Sequence, residues 1–231
     1  MSRNENRTGF TLIELLVVIA VIALLVGILA PSLAAARAMA RETKCLTQMR
    51  ELGKATHFYA GDNNELLPRS THSAIAYRWR PWGYALCQYL TGAPYTGPGV
   101  AWDQAFNGIY RCPQDRRRDN SWSFGKSVWT ELTAEEITDA IAKPAPQAYP
   151  RLTDVPRPAA TVFFGELGSG SMADHFMAHF WYMGGEPEVD KHRHGKRSNY
   201  VTLDTRSSPA IFDTTFDLAR GTDQWYPDNA R

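Results

Sequence analysis

His175 and His179 stand four residues apart with Asp174 beside the first, a spacing that on a helix would bring two imidazoles and a carboxylate together as metal ligands. Phe176, Phe180, Trp181 and Tyr182 argue equally for a buried strand, where the two rings share a sheet face but lie about 13 Å apart, too far for one ion. His192 and His194 flank Arg193 in a charged stretch whose default is solvation. Asp62, Asn63, Asn64 and Glu65 offer oxygens to calcium without the spacing of a known calcium loop, so calcium is the one cofactor candidate and no metal ligands are assigned. Cys45, Cys87 and Cys112 allow three pairings, each leaving one thiol over; Cys45 with Cys112 is favoured because it ties an N-terminal helix to the rest of the chain. No close CxxC pair suggests zinc, and GxSxG, HExxH and phosphate-binding glycine loops are missing from the sequence, so no catalytic set emerges.

The elements that must position these residues begin with an apolar run. Residues 15–30 carry no charge, and the 21 residues from Phe10 to Ala30 make a helix about 30 Å long, enough to cross a bilayer core. A secretory signal peptide has a shorter apolar core and a small-residue cleavage site, which Pro31-Ser32-Leu33 does not supply. A plain signal anchor fits the length and leaves Glu14 unexplained, since an acid within a membrane segment costs about 2–3 kcal/mol unless it is paired or wetted by headgroups. Arg3 and Arg7 precede the run and hold the N-terminus in the cytoplasm, which sends the remainder to the other side.

Pro31 can break or kink a helix, but the residues after it are rich in helix formers. Cys45, Met49, Leu52, Thr56 and Tyr59 recur at steps of three and four and predict a buried face, with a stop at Gly61-Asp62-Asn63-Asn64. About 170 residues then remain, enough for one domain with its own core. Thr161-Val162-Phe163-Phe164 and Tyr200-Val201-Thr202-Leu203 read as strands, with Ala210-Ile211-Phe212 as a return strand. Residues 133–142 read as a helix opened by a Thr133/Glu136 capping box. Residues 69–158 are otherwise read as loops rich in Pro, Gly and Trp, whose tryptophans fill an interior or form a sugar-stacking surface. The net charge of +1 and the short Arg116-Arg117-Arg118 run, read as a solvated loop, give no sign of a nucleic-acid partner.

Gly9-Phe10-Thr11-Leu12-Ile13-Glu14-Leu15 resembles the processing site of type IV prepilins and of type II secretion pseudopilins. The resemblance implies a leader, residues 1–9, cut after Gly9 by a prepilin peptidase that also N-methylates Phe10. It implies other pilin-like subunits and an inner-membrane assembly machinery as partners. Physics adds a task for Glu14: the new amine on Phe10 stays basic, and the carboxylate of a neighbouring subunit can neutralise it in apolar surroundings. A second resemblance spans the rest. Tyr59-Ala60-Gly61-Asp62-Asn63-Asn64, Tyr110-Arg111-Cys112-Pro113, the run ending in Gly165-Glu166, and His194 with Asp204 after nine residues are similar to the H-x9-DG pilin-like proteins abundant in planctomycetes, lentisphaerae and verrucomicrobia. That signature has Gly after the aspartate, where this chain has Thr205, β-branched and ill suited to a positive φ, so a different turn is expected. His194 and Asp204 are read as structural, pinning a loop onto a strand.

The expected fold is α+β and type IV pilin-like: leader 1–9, membrane and filament-core helix 10–30, amphipathic helix 31–60, and a head over 61–231 with an antiparallel sheet and long loops. The expected protein is a filament subunit and not an enzyme, inserted once in the inner membrane with its leader cytoplasmic and its head periplasmic. The alternative is a membrane-tethered periplasmic enzyme or carbohydrate-binding protein that uses the helix only as an anchor.

Overall fold

The computed structural model describes residues 11–117, 121–143 and 146–231; Gly9 and Phe10 lie outside them. The chain divides into two compact units, residues 1–40 and 41–231. Helix α1 (Leu12–Asp62) runs for 51 residues and is helical on both sides of Pro31. Proline removes one amide donor there, and the Ala- and Leu-rich turns on either side sustain the helix. In the first unit the apolar side chains of α1 are exposed, Leu12 at 73 %, Leu24 at 65 % and Ile28 at 66 %. Its most apolar 18-residue window has a mean hydropathy of 3.2, and the helix is long and apolar enough to cross a membrane.

In the second unit the same helix has a buried face. Cys45, Met49, Leu52 and Thr56 are buried as their spacing predicts, joined by Gln48, Gly53, Ala55 and Ala60, and Tyr59 is half-buried. The helix ends at Asp62, after which Asn64 and Glu65 take positive φ values of 54° and 64° and turn the chain. The next stretch is more helical than its composition suggests. It forms α2 (Thr71–Ala74), α3 (Trp82–Ala85), α4 (Cys87–Thr91) and α5 (Val100–Ile109). These pieces are too short for a readable period, and packing holds them: Trp82, Trp102, Phe106, Tyr110 and Trp122 form one aromatic cluster with ring centroids 5.1–6.4 Å apart.

The sheet is built from β1 (Phe124–Ser127), β2 (Val162–Glu166), β3 (His175–Phe176), β4 (Ser198–Thr202) and β5 (Ser207–Ala210), in the spatial order β3-β1-β2-β4-β5. Between β1 and β2 lies α6 (Ala134–Ile141), which carries the Thr133/Glu136 capping box its sequence announces. Strands β1, β2, β4 and β5 pair antiparallel, and β3 joins β1 in parallel through two residues. A small hairpin of β6 (Phe216–Asp217) and β7 (Thr222–Asp223) follows. The return strand begins at Ser207, three residues before the expected Ala210, and Phe212 starts a 3-10 turn instead. Pro209 is tolerated because β5 is an edge strand.

Both faces of β2 and β4 are buried, so their side chains show no polar alternation. The second half of α1 covers one face: a Cβ at Gly53 would sit 3.0 Å from Val201 Cγ1 of β4. Aromatic side chains cover the other, and a Cβ at Gly165 would meet Trp225 at 3.1 Å and Phe176 at 3.2 Å, which is why a side chain does not fit there. At one edge of this core Lys126 and Glu131 form a fully buried ion pair at 2.6 Å, with Ser70 N also donating to Glu131 at 2.9 Å. Trp82, Trp129 and Trp225 are fully buried, as an interior role for tryptophan requires.

Candidate functional site

The N-terminal site starts from Thr11 and Glu14. Thr11 precedes the first helical residue, and its backbone N–H and hydroxyl donate to Glu14 Oε2 at 2.9 and 2.7 Å. The Glu14 amide returns a bond to Thr11 Oγ1 at 3.3 Å. This is a capping box, written in the sequence as Thr-x-x-Glu, and sequence reasoning that looked only for a charge partner missed it. Glu14 therefore has an intrachain task at the start of α1, in addition to any partner on another chain. Beyond it, Ala20, Ala23, Gly27 and Ala30 recur at steps of three and four along an otherwise bulky apolar surface, a pattern that lets another helix approach closely.

A second constellation lies inside the head. Cys45 of α1, Cys112 in the turn after α5, Glu166 at the end of β2 and His194 in the loop before β4 are all buried, and one ligand atom from each lies within 4.8 Å of the others. Cys45 Sγ is 3.1 Å from Glu166 Oε1, His194 Nε2 is 3.0 Å from the same oxygen, and Cys112 Sγ is 3.6 Å from His194 Nε2. Glu166 Oε2 faces away and accepts from the Asn199 amide at 2.7 Å and Ser198 Oγ at 3.2 Å. Burial pushes the Cys45 thiol up, whereas Cys112, hydrogen-bonded to Cys45 and His194, falls to about 7. Burial opposes charge on His194, but its bonds to Cys112 and Glu166 carry it up to about 9. Burial likewise opposes ionisation of Glu166, and His194, Arg193 and the Asn199 amide together hold it below the usual carboxylate range.

The arginines around this cluster correct two expectations. His194 and Arg193 are not solvated: their side chains are 1 % and 3 % exposed, and Arg193 donates to Asp190 at 3.0 Å and to the Ser123 carbonyl at 2.9 Å. Arg117 is no loop-surface residue either, since it pairs with the buried Asp115 at 2.7 Å and donates to the Trp122 carbonyl at 2.7 Å. Charged residues are pulled inward here because carbonyls shielded from water at the ends of β1 and β2, those of Trp122, Ser123 and Leu167, take their donors from Arg117 and Arg193. Arg118 lies outside the described residues.

The remaining candidates separate. Cys45 and Cys112 are neighbours, as the favoured pairing expected, but they and Cys87 are free thiols. His175 and His179 do not share a helix. His175 is in β3 and bonds Asp174 at 2.8 Å, while His179 opens a 3-10 turn, and His72 of α2 packs its ring 5.6 Å from one and 6.3 Å from the other. Asp62 accepts from Tyr89 Oη at 2.9 Å, and the Asn63 side chain donates to the Tyr59 carbonyl at 2.7 Å, so two of the calcium candidates are already engaged. Asp204 accepts from the Arg206 amide at 3.2 Å and from the Thr202 hydroxyl, closing the β4–β5 turn, while His194 pins its loop to β2. The turn was expected to avoid positive φ because of Thr205; instead Thr205 adopts φ 73°, and its amide bonds the Thr202 carbonyl at 2.9 Å. Pairing across the hairpin outweighs the local preference of a β-branched residue.

Residues 5–30 match the Prokaryotic N-terminal methylation motif. Over 60 residues the chain is 48 % identical to the Type IV wide pilus major component PilA4 of Thermus thermophilus, a stretch that is 26 % of this chain and 46 % of that relative. The chain thus spans about half the length of the curated relative it matches. No solved structure matches.

Proposed function

We propose that this type IV prepilin-like chain is the structural subunit of a type IV pilus-like filament. Its precursor sits in the inner membrane, is cut after Gly9 by a prepilin peptidase and is methylated on Phe10. Subunits of this or related chains then pack through residues 10–30, driven by an inner-membrane machinery. The observation that carries the reading is the matched motif leading directly into an apolar helix whose large side chains are exposed and whose single early carboxylate is Glu14. In such a filament, helix–helix packing replaces lipid contacts, and the Ala20, Ala23, Gly27 and Ala30 face brings backbones close. Glu14 meets the Phe10 amine of a neighbour, so each charge is neutralised in apolar surroundings. A pilus role is favoured over a secretion pseudopilus because the similar Thermus protein is a wide-pilus component. Neither the motif nor the relative favours a tethered enzyme or lectin.

Intact and N-terminal mass spectrometry of the protein from its native membrane tests the proposal. A chain beginning at Phe10 with one added methyl group is the expected result. A chain that retains residues 1–9 overturns it.

A further inference from the structure

We propose that Cys45, Cys112, Glu166 and His194 form a zinc site that ties the second half of α1 to the head. The argument is geometric. Zinc bonds of about 2.0–2.3 Å to sulfur, nitrogen and oxygen define a tetrahedron with edges of roughly 3.3–3.8 Å between ligand atoms. The separations within the cluster, 3.0, 3.1 and 3.6 Å, lie close to those edges, and all four donor atoms fall within 4.8 Å of one another. Two sulfurs, one imidazole nitrogen and one carboxylate oxygen suit zinc better than calcium or magnesium, which prefer all-oxygen shells.

The surroundings fit the same assignment. Glu166 directs Oε1 at both Cys45 and His194, while Oε2 is held by the Asn199 amide and Ser198 Oγ, the outer-shell arrangement that fixes a monodentate carboxylate. With Nε2 on the metal, His194 Nδ1, buried and without a hydrogen bond among the described residues, carries the ring proton. Two thiolates and a carboxylate bring three negative charges. Zinc offsets two of them, and Arg193 Nη1, 3.9 Å from Glu166 Oε1, faces the third. Four protein ligands leave no position for substrate, so the site is structural. Each ligand comes from a different segment, and one ion therefore cross-links α1, the turn after α5, the end of β2 and the loop before β4. A Cys45–Cys112 disulfide would use only the sulfurs and give no account of why Glu166 and His194 converge on them.

The test is metal analysis of the full chain purified in detergent from its native membrane, alongside Cys45→Ser, His194→Ala and the control Cys87→Ser. One zinc per chain is expected in the wild type and in Cys87→Ser, with at least a tenfold fall in occupancy in the other two. Should those variants not fold, cobalt exchanged into the wild type decides the matter, because tetrahedral cobalt bound by thiolates absorbs visible light and a chain lacking the site does not. A Cys45–Cys112 disulfide in peptide mapping, or a wild-type chain that neither contains zinc nor takes it up, overturns the proposal. It stands or falls separately from the filament reading, whose test concerns residues 1–10.

Discussion

Replacing Glu14 with glutamine removes a charge and keeps an acceptor, whereas alanine removes both, so the pair separates two roles of one side chain. The intrachain role is the capping box, in which Glu14 Oε2 accepts from Thr11 N at 2.9 Å and Thr11 Oγ1 at 2.7 Å. Losing the Glu14 half of the box frees the Thr11 amide and hydroxyl, while Thr11 Oγ1 still accepts from the amide of residue 14. Glutamine serves in capping boxes as well. The proposed role between chains acts through charge instead. A carboxylate about 4 Å from an ammonium at an effective dielectric near 20 gains about 4 kcal/mol before desolvation is charged against it. Even a third of that gain is about a tenfold change in an assembly constant. The assay is the fraction of chain recovered in sheared filaments against the membrane fraction, with helix content measured by circular dichroism in detergent. Glu14→Gln is expected to keep wild-type helix content and to lower the filament fraction at least tenfold, and Glu14→Ala to lower both. If Glu14→Gln assembles like the wild type while Glu14→Ala does not, the carboxylate acts only as a cap and the charge-pairing argument is wrong.

Thr205 gives a prediction of opposite sign. A β-branched residue held at φ 73° stores about 1–3 kcal/mol, and glycine there adds back about 0.5–1 through its freer unfolded chain. Thr205→Gly is therefore expected to stabilise the protein by about 1 kcal/mol and raise its Tm by roughly 2–4 °C in a thermal melt, and an unchanged or lower Tm would refute the strain. Acid stability should begin to fall above the carboxylate range. Burial, with His72 and His175 nearby, lowers His179 to about 4, so between roughly pH 6.5 and 4 the unfolded chain takes the proton and the folded one does not. Stability then declines as pH drops through that window and levels below it. Asp115, Glu131 and Glu166, held low by their partners, add losses only in more acid solution. Melting temperatures at pH 7 and pH 5 measure this, and His179→Gln should narrow the difference; equal values for the wild type would contradict it.

Local patterns were legible wherever neighbours in the sequence are neighbours in space. The α1 stripe, its stop after Gly61, the Thr133 cap and the hydrophobic strands around Phe163 and Val201 each depend on spacing within a few residues. The Thr11/Glu14 capping box is equally local, a Thr-x-x-Glu spacing at the start of α1. The short helices α2 to α5 and strand β1 were not, because FGKS and WGYA carry no period and are held by aromatic packing and sheet pairing. Arg117 and Arg193 read as solvated, and His194 as a loop pin without a named partner, since their partners, Asp115, Asp190 and Glu166, belong to an accounting of buried polar groups that only the folded chain displays.

By itself the sequence determined that this chain begins with a prepilin-like motif and an apolar helix of membrane-crossing length, because hydropathy and a contiguous motif need no tertiary context. Only the tertiary structure decided that Thr205 keeps a positive φ and that Cys45, Cys112, Glu166 and His194 converge. Those four come from distant segments, and no spacing rule can register donors that only the folded chain brings within 4.8 Å of one another.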